Sequence, residues 1–114
     1  MRVAQLRKDD GTVLCTECAV ASTSFARMKG LLGRSSLDAG EGMLFPRTGS
    51  IHMFFMRFAI DAIFCNADLD VIDVERNLQP WRVAGRKGAK VVIELAAGAA
   101  EAVSPGDRLV LEPG

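Results

Sequence analysis

Charged side chains interrupt the most apolar stretches of this chain. Arg57 and Asp61 lie within a phenylalanine-rich run, Glu94 lies within Val-Val-Ile-Glu-Leu, and Arg27 and Arg34 lie in a segment with helical periodicity. A buried charge is costly unless it meets an opposite charge or lines a hydrated pocket. We therefore expect these side chains to converge in the folded protein.

Two interpretations of this convergence stay open. The group forms either a salt-bridge network that fixes a helix against a sheet, or a cleft in which guanidinium groups bind a carboxylate or phosphate. The cleft predicts a small binding module for a small anionic or polar ligand, which is the function that the sequence favours. Its predicted ligand-binding residues are Arg27, Arg34, His52, Arg57, Asp61 and Glu94.

His52 is the only histidine, so an imidazole that acts as a general base must be this one. It lies on a predicted strand in the same alternation as Phe54 and Met56, a position typical of a packed or rim histidine. The alternative is an enzyme in which His52 and Asp61 act as an acid–base pair. The sequence has no nucleophile elbow, zincin motif or phosphate-binding glycine loop, so it designates no catalytic residue.

The segment Cys15-Thr16-Glu17-Cys18 has the CxxC spacing of redox and zinc sites. Residues i and i+3 of a strand point to opposite faces, so we expect two separate buried thiols and no pair. A Cys3His zinc site would also need Cys65 and His52, and only one CxxC is present. We therefore predict no metal and no other cofactor.

Composition and charge exclude several classes of protein. The 114 residues carry 14 basic and 14 acidic side chains and are 49% hydrophobic, which is typical of one globular domain over residues 1–114. Zero net charge gives no electrostatic reason to expect nucleic acid or an anionic membrane. The amino terminus has no apolar export segment, no apolar run is long enough to span a membrane, and the three cysteines are an odd number. We expect a cytoplasmic protein.

Turn signals divide the chain into about seven short strands. Residues 3–8 and 12–20 predict a hairpin, and a second hairpin has its turn at 66–70. Other strands are predicted at 42–46, 91–95 and 108–112. The stripe of Phe25, Met28 and Leu32 predicts one helix that Gly33 ends, and residues 96–103 predict one or two further helical turns. The predicted fold is mainly β (α+β): a β-sandwich or partly open barrel with one covering helix.

Residues 51–65 are too long for one strand, so we expect two strands with a break near 57–59. Residues 77–90 contain one proline and two glycines and predict a loop. Its last part combines Trp81 with four basic residues and ends at Lys90, which makes a protein-interaction domain that uses the 81–90 loop a further alternative. One indole is too few for an RNA-binding sheet, so no nucleic-acid partner is expected.

Five motifs, in order, resemble the domain-of-unknown-function 192 family (DUF192) over about residues 15–112. They are Arg27-x-x-Gly30-Leu31-Leu32-x-Arg34, Gly40-x-Gly42-Met43-Leu44-Phe45, Phe55-Met56-Arg57-Phe58-Ala59-Ile60-Asp61-Ala62-Ile63-Phe64, Glu94-Leu95-x-x-Gly98 and Gly106-Asp107. The resemblance implies one compact, mainly β domain, found in free bacterial proteins and behind export signals. It assigns no activity, cofactor or site residue. Phe55 stands where relatives tend to have tryptophan.

Overall fold

The computed structural model describes residues 2–23 and 31–113 of the chain. Seven of the strands in this part form one sheet in the order β6-β5-β8-β3-β2-β1-β9, and β4 pairs with β7 in a small second sheet. The nine strands of the described part are β1 (Arg2–Lys8), β2 (Val13–Val20), β3 (Glu41–Pro46), β4 (Ser50–His52), β5 (Ile60–Cys65), β6 (Val71–Leu78), β7 (Val83–Gly85), β8 (Val91–Ala96) and β9 (Leu109–Pro113). β2 and β3 run parallel, and the other ladders between these strands are antiparallel.

The two edges of the seven-stranded sheet approach each other at one end. The backbone N–H of Val71, at the start of β6, donates to the carbonyl of Asp107, just before β9, at 2.8 Å. Asp70 and Arg108 form a β-bridge beside this bond. Since strands twist in one direction along a sheet, this meeting of the edges closes the sheet into a half-barrel. The predicted partly open barrel is confirmed in this form.

Both faces of the sheet are covered, so its central strands are buried almost throughout. All of β5 is buried, and in β8 the last residue alone is partly exposed. The inner core, inside the curl, consists of Leu6, Leu14, Cys15, Cys18, Val20, Leu44, Ile63, Cys65, Val71, Val91, Ile93, Leu95, Ala100, Val103 and Leu109. The outer core consists of Ala21, Leu31, Met43, Phe45, Met53, Met56, Ile60, Ala62, Phe64, Leu78, Ala84, Ala89 and Val92.

The β4–β7 sheet and the chain that follows β4 help to cover the outer core. Met53, Met56 and Ala84 are buried there. The long apolar run is therefore divided as predicted, because β4 ends at His52 and β5 begins at Ile60. The break extends over residues 53–59 and is longer than the sequence indicates.

The hairpins predicted around residues 9–11 and 66–70 are confirmed as β1–β2 and β5–β6. The prediction of a loop over residues 77–90 is wrong in part. β6 continues to Leu78, and Val83–Gly85 forms β7 against β4. Pairing with a distant strand overrides the local turn signals of this segment.

The predicted covering helix is not supported. Most of it falls on residues 24–30, which lie outside the described residues, and residues 31–33 form a turn. No α-helix forms among residues 2–23 and 31–113. The described part therefore contains no helix with the length and hydropathy to cross a membrane.

The helical turns expected at 96–103 are also absent. The segment forms successive turns closed by bonds from Ala99 to Ala96, from Glu101 to Gly98 and from Val103 to Ala100. Gly98 has a φ of 92°, a left-handed conformation that a helix cannot contain.

Candidate functional site

Asp61 and Glu94, the two buried carboxylates among the described residues, lie on opposite faces of the seven-stranded sheet. In the β5–β8 ladder Asp61 is opposite Leu95 of the inner core, and Glu94 is opposite Ala62 of the outer core. Residues directly opposite each other in a ladder point to the same face. The sheet therefore separates the two carboxylates, and they do not line one pocket.

Asp61 anchors backbone on the inner face. The residue is 1% exposed. Its Oδ1 accepts the N–H of Asn77 at 2.9 Å, and its Oδ2 accepts the N–H groups of Gly98 and Ala100, both at 3.0 Å. These bonds satisfy the carboxylate and fasten the end of β6 and the turns after β8 to β5. None of them involves His52, so the proposed acid–base pair is not formed in this arrangement.

Glu94 is 5% exposed and lies on the outer face, opposite Met43 of β3 and Ala62 of β5. Within the described ranges, its carboxylate has no hydrogen-bond or ion-pair partner. Burial among apolar neighbours raises the pKa of Glu94 to about 7. The folded protein therefore holds this side chain largely as the neutral acid below that pH.

The arginines of the predicted site are dispersed. The Arg34 guanidinium pairs with the Glu41 carboxylate at 2.8 Å, close to the surface. Arg57 is exposed, and Arg27 lies outside the described residues. The described residues therefore do not form the shared hollow that the sequence predicts. Backbone N–H groups satisfy Asp61, and Arg57 lies in an irregular segment that exposes it to solvent.

His52 lies beside exposed aromatic side chains. Its ring stacks on Phe54 with 4.9 Å between centroids, Phe54 lies 6.0 Å from Trp81, and Phe55 lies 4.8 Å from Trp81. Phe54, Phe55 and Trp81 are 40%, 71% and 58% exposed. We call these four residues the aromatic patch. A contiguous set of exposed apolar rings is typical of a contact surface.

A tight turn holds both phenylalanines outward. The N–H of Met56 donates to the carbonyl of Met53 at 3.2 Å, so Phe54 and Phe55 occupy the two central positions. Phe55 has a φ of 66°, the left-handed conformation that a type II turn requires at this position and that glycine usually supplies. Met53 and Met56 are buried in the outer core at the two ends of the turn.

Backbone bonds place Trp81 against this turn. The N–H of Trp81 donates to the carbonyl of Met53, and the N–H of Met53 donates to the carbonyl of Arg82, both at 2.7 Å. These bonds extend the β4–β7 ladder, in which His52 is opposite Val83. Trp81 has a φ of 70°. Two of the four rings in the patch are therefore held by left-handed backbone.

The segments that carry the aromatic patch are rich in basic residues. Residues 42–60 and 76–93, which supply β4, β7 and the patch, contain seven Lys or Arg residues and no Asp or Glu. Arg86 pairs with Asp73 and Glu75, and Arg76 donates to two backbone carbonyls of the turns after β8. Arg57, Arg82 and Lys87 are exposed. None of these three side chains forms an ion pair with another residue in the described ranges. These segments therefore carry a local excess of unpaired positive charge.

The CxxC segment departs from its prediction. Cys15 and Cys18 both belong to the inner core, because a β-bulge in β2 places an extra residue between them. The prediction of opposite faces is wrong, since it assumed a regular strand. Cys65 also lies in the inner core whereas His52 is exposed, so the Cys3His set is not assembled. No three His, Cys, Asp or Glu side chains of the described part form a metal-binding group.

These features define a small, curled β-sheet protein with a basic aromatic surface beside its second sheet. The chain belongs to the DUF192 family, described as Uncharacterized ACR, whose profile matches residues 5–111. The UPF0127 protein of Thermococcus sibiricus is 35% identical over 98 residues, which are 82% of this chain and 63% of that protein. The UPF0127 protein of Pyrococcus furiosus is 44% identical over 63 residues, 53% of each chain. This chain thus spans less than two thirds of either relative.

Two solved structures share the fold. A protein of unknown function from Novosphingobium aromaticivorans has a TM-score of 0.79 and 26% identity, over 95% of this chain and 83% of that one. A candidate transcription regulator from Sinorhizobium meliloti has a TM-score of 0.79 and 27% identity, over 96% of this chain and 92% of that one. The family that the motifs indicate is confirmed, and its function is uncharacterised.

The aromatic patch is the part of the site that sequence reasoning missed. In a strand, two adjacent side chains point to opposite faces, so the sequence does not indicate that Phe54 and Phe55 are both exposed. A turn exposes both. Glycine or asparagine would signal such a turn, but here Phe55 itself adopts the left-handed conformation. The available signal is the Met-Phe-Phe-Met sequence, in which the two outer residues are buried.

Proposed function

We propose that this protein is a binding module that holds an acidic segment of a partner protein on its aromatic patch. The observation that carries this proposal is the contiguous set of exposed rings from His52 through Phe54 and Trp81 to Phe55. The 81–90 loop contributes Trp81 and Arg82 to this surface. Of the six residues predicted to bind a ligand, His52 and Arg57 are proposed contacts.

A protein segment fits this surface better than a flat ligand does. Aromatic and arginine side chains supply most of the binding energy in protein interfaces. The rings of Phe54 and Phe55 are tilted by 36° and 58° to the Trp81 ring, so they form an uneven surface that the side chains of a peptide can contact from several directions. Unpaired guanidinium groups at Arg57 and Arg82 favour carboxylates beside the apolar anchors.

Trp81 provides a direct assay, because it is the only tryptophan and the chain has no tyrosine. The probe is a short synthetic peptide that alternates glutamate with leucine and phenylalanine, and its matched analogue carries lysine in place of glutamate. We expect the acidic peptide to change Trp81 emission and to bind at least about tenfold more tightly than the basic one. Binding of neither peptide, or equal binding of both, contradicts the proposal.

Matched variants locate the binding. Phe55→Ala and Arg82→Gln should each weaken binding of the acidic peptide by about tenfold or more. Val13→Ala removes another exposed apolar side chain, 49% exposed on β2, and should leave the affinity unchanged. Arg2→Gln, on β1, is the matched control for charge.

Other classes of ligand give distinct outcomes. Tighter binding of a single-stranded oligothymidylate than of the acidic peptide would assign the patch to nucleic acid. Binding of inorganic phosphate or acetate that depends on Arg57 would support the small-ligand function. Either result replaces the protein partner proposed here.

A further inference from the structure

The β-bulge in β2 changes what the CxxC segment can do. In the β1–β2 ladder Ala4 is opposite Cys18 and Leu6 is opposite Cys15, so a step of two residues on β1 matches a step of three on β2. The backbone N–H groups of the two residues between the cysteines both donate to the carbonyl of Gly40, at 3.1 and 2.9 Å. The bulge is thus hydrogen bonded and part of the fold.

The bulge brings the two thiols to the same side of the strand. Cys15 and Cys18 are 1% and 0% exposed within the inner core. The Cys15 thiol donates to the carbonyl of Gly40 at 3.4 Å. In the β1–β2 ladder the two cysteines are opposite Leu6 and Ala4, which lie two residues apart on one face of β1. Two cysteines that are neighbours on one face of a strand can form a disulfide after a small adjustment of the backbone.

We propose that Cys15 and Cys18 are a dithiol site that forms an intramolecular disulfide by exchange with a low-molecular-weight disulfide of the glutathione type. This inference is independent of the function proposed for the aromatic patch. The site sits where the bulge joins β2 to the start of β3. A disulfide between Cys15 and Cys18 would stabilise the bulge and the segment at Gly40 that is hydrogen bonded to it.

The exchange balances in two steps. The Cys15 thiolate attacks the small disulfide, forms a mixed disulfide and releases one small thiolate. The Cys18 thiol then loses its proton and attacks the Cys15 sulfur, which forms the protein disulfide and releases the second small thiolate. Both leaving thiolates take up protons, so two protein thiols are oxidised and one small disulfide is reduced to two thiols.

Local electrostatics give the two sulfurs different roles. The hydrogen bond from Cys18 lowers the pKa of Cys15, whereas the same contact and burial raise the pKa of Cys18. Cys15 is therefore the attacking sulfur and Cys18 the resolving one. Cys65, in the same core, has a pKa raised to about 12 by burial and serves as the control for a buried thiol outside the CxxC segment.

Access to Cys15 is through the chain that precedes β3. Residues 33–36 and 38–39 are exposed and form no strand. The Gly40 carbonyl at their end covers the Cys15 thiol. Local opening of an exposed segment with few core contacts needs far less free energy than global unfolding.

The test equilibrates native wild-type protein with mixtures of reduced and oxidised glutathione. The protein is then denatured in acid, its free thiols are alkylated, and its intact mass is measured. We expect the oxidised end state to carry one alkyl group, at Cys65, and peptide mapping to find a Cys15–Cys18 disulfide that dithiothreitol reverses. Three alkyl groups at every glutathione ratio would overturn the proposal.

Single variants test the order of the two steps. Cys18→Ser should accumulate a glutathione adduct on Cys15 at least about tenfold faster than on Cys65. Cys15→Ser should not form the internal disulfide, and it should form a glutathione adduct more slowly than Cys18→Ser does. Cys65→Ser should leave disulfide formation unchanged. Equal reaction of all three thiols would show unfolding and contradict a built site, and the wild-type mass measurement decides the question if a variant fails to fold.

Discussion

Replacement of Glu94 by glutamine should remove a large pH dependence of stability. The unfolded chain titrates Glu94 near its ordinary pKa of 4.5, and the folded protein titrates it near 7. A carboxyl group whose pKa is raised on folding contributes its full stability below the unfolded pKa and loses it as pH rises through the folded pKa. The difference between these two pKa values corresponds to about 3 kcal/mol of unfolding free energy.

Urea unfolding of the wild type and Glu94→Gln between pH 4.5 and pH 8 measures this effect. The two proteins should be nearly equal in stability at the acidic end, and the variant should be more stable by about 3 kcal/mol at the alkaline end. The difference between the two unfolding free energies cancels the contributions of the surface carboxylates that both proteins share. Glu101→Gln, at an exposed position, is the control. A difference that does not change with pH would refute the burial of an unpaired Glu94.

Three further substitutions test the site and its scaffold. Phe55→Gly relieves a φ of 66°, so the unfolding free energy should stay level or rise by up to about 1 kcal/mol in urea, while binding of the acidic peptide is lost. Asp61→Asn turns an amide toward backbone N–H groups and should lower the unfolding free energy by about 3 kcal/mol. Gly42→Ala would place a Cβ 2.6 Å from Leu95 Cδ2 and 3.1 Å from the backbone oxygen of Glu94, which should destabilise by about 1–3 kcal/mol. Gly40→Ala meets one rotatable hydroxyl, that of Thr16, and is its milder control.

The strands were predictable where the sequence pattern is local. Residues 3–8 and 12–20 alternate around a turn, and the hairpin follows from that pattern alone. β7 was not predictable, because Pro80, Gly85 and Gly88 indicate a loop and because the pairing of β7 with β4 joins residues distant in sequence. The single-domain organisation and the cytoplasmic location stay predictions.

The candidate site was predictable in part. Sequence reasoning singled out His52 and the 81–90 loop, and Trp81 of that loop lies with His52 in the aromatic patch. It misplaced Asp61 and Glu94, because residues of neighbouring strands share a face only if the register is known, and the register follows from the assembled sheet. It also missed the bulge between Cys15 and Cys18. Two backbone N–H groups between the cysteines bond to the Gly40 carbonyl and stabilise this bulge.

The energetics of the aromatic patch are consistent with the contact function that we propose for it. Left-handed backbone at a residue other than glycine costs roughly 1–2 kcal/mol, and both Phe55 and Trp81 adopt it. Their side chains are 71% and 58% exposed, so they return little of this free energy through burial. Glycine or asparagine at these positions would relieve the backbone strain and expose less apolar surface, so either residue would favour the folded state. A surface that opposes folding through its backbone and its side chains is explained if its rings are buried against a partner.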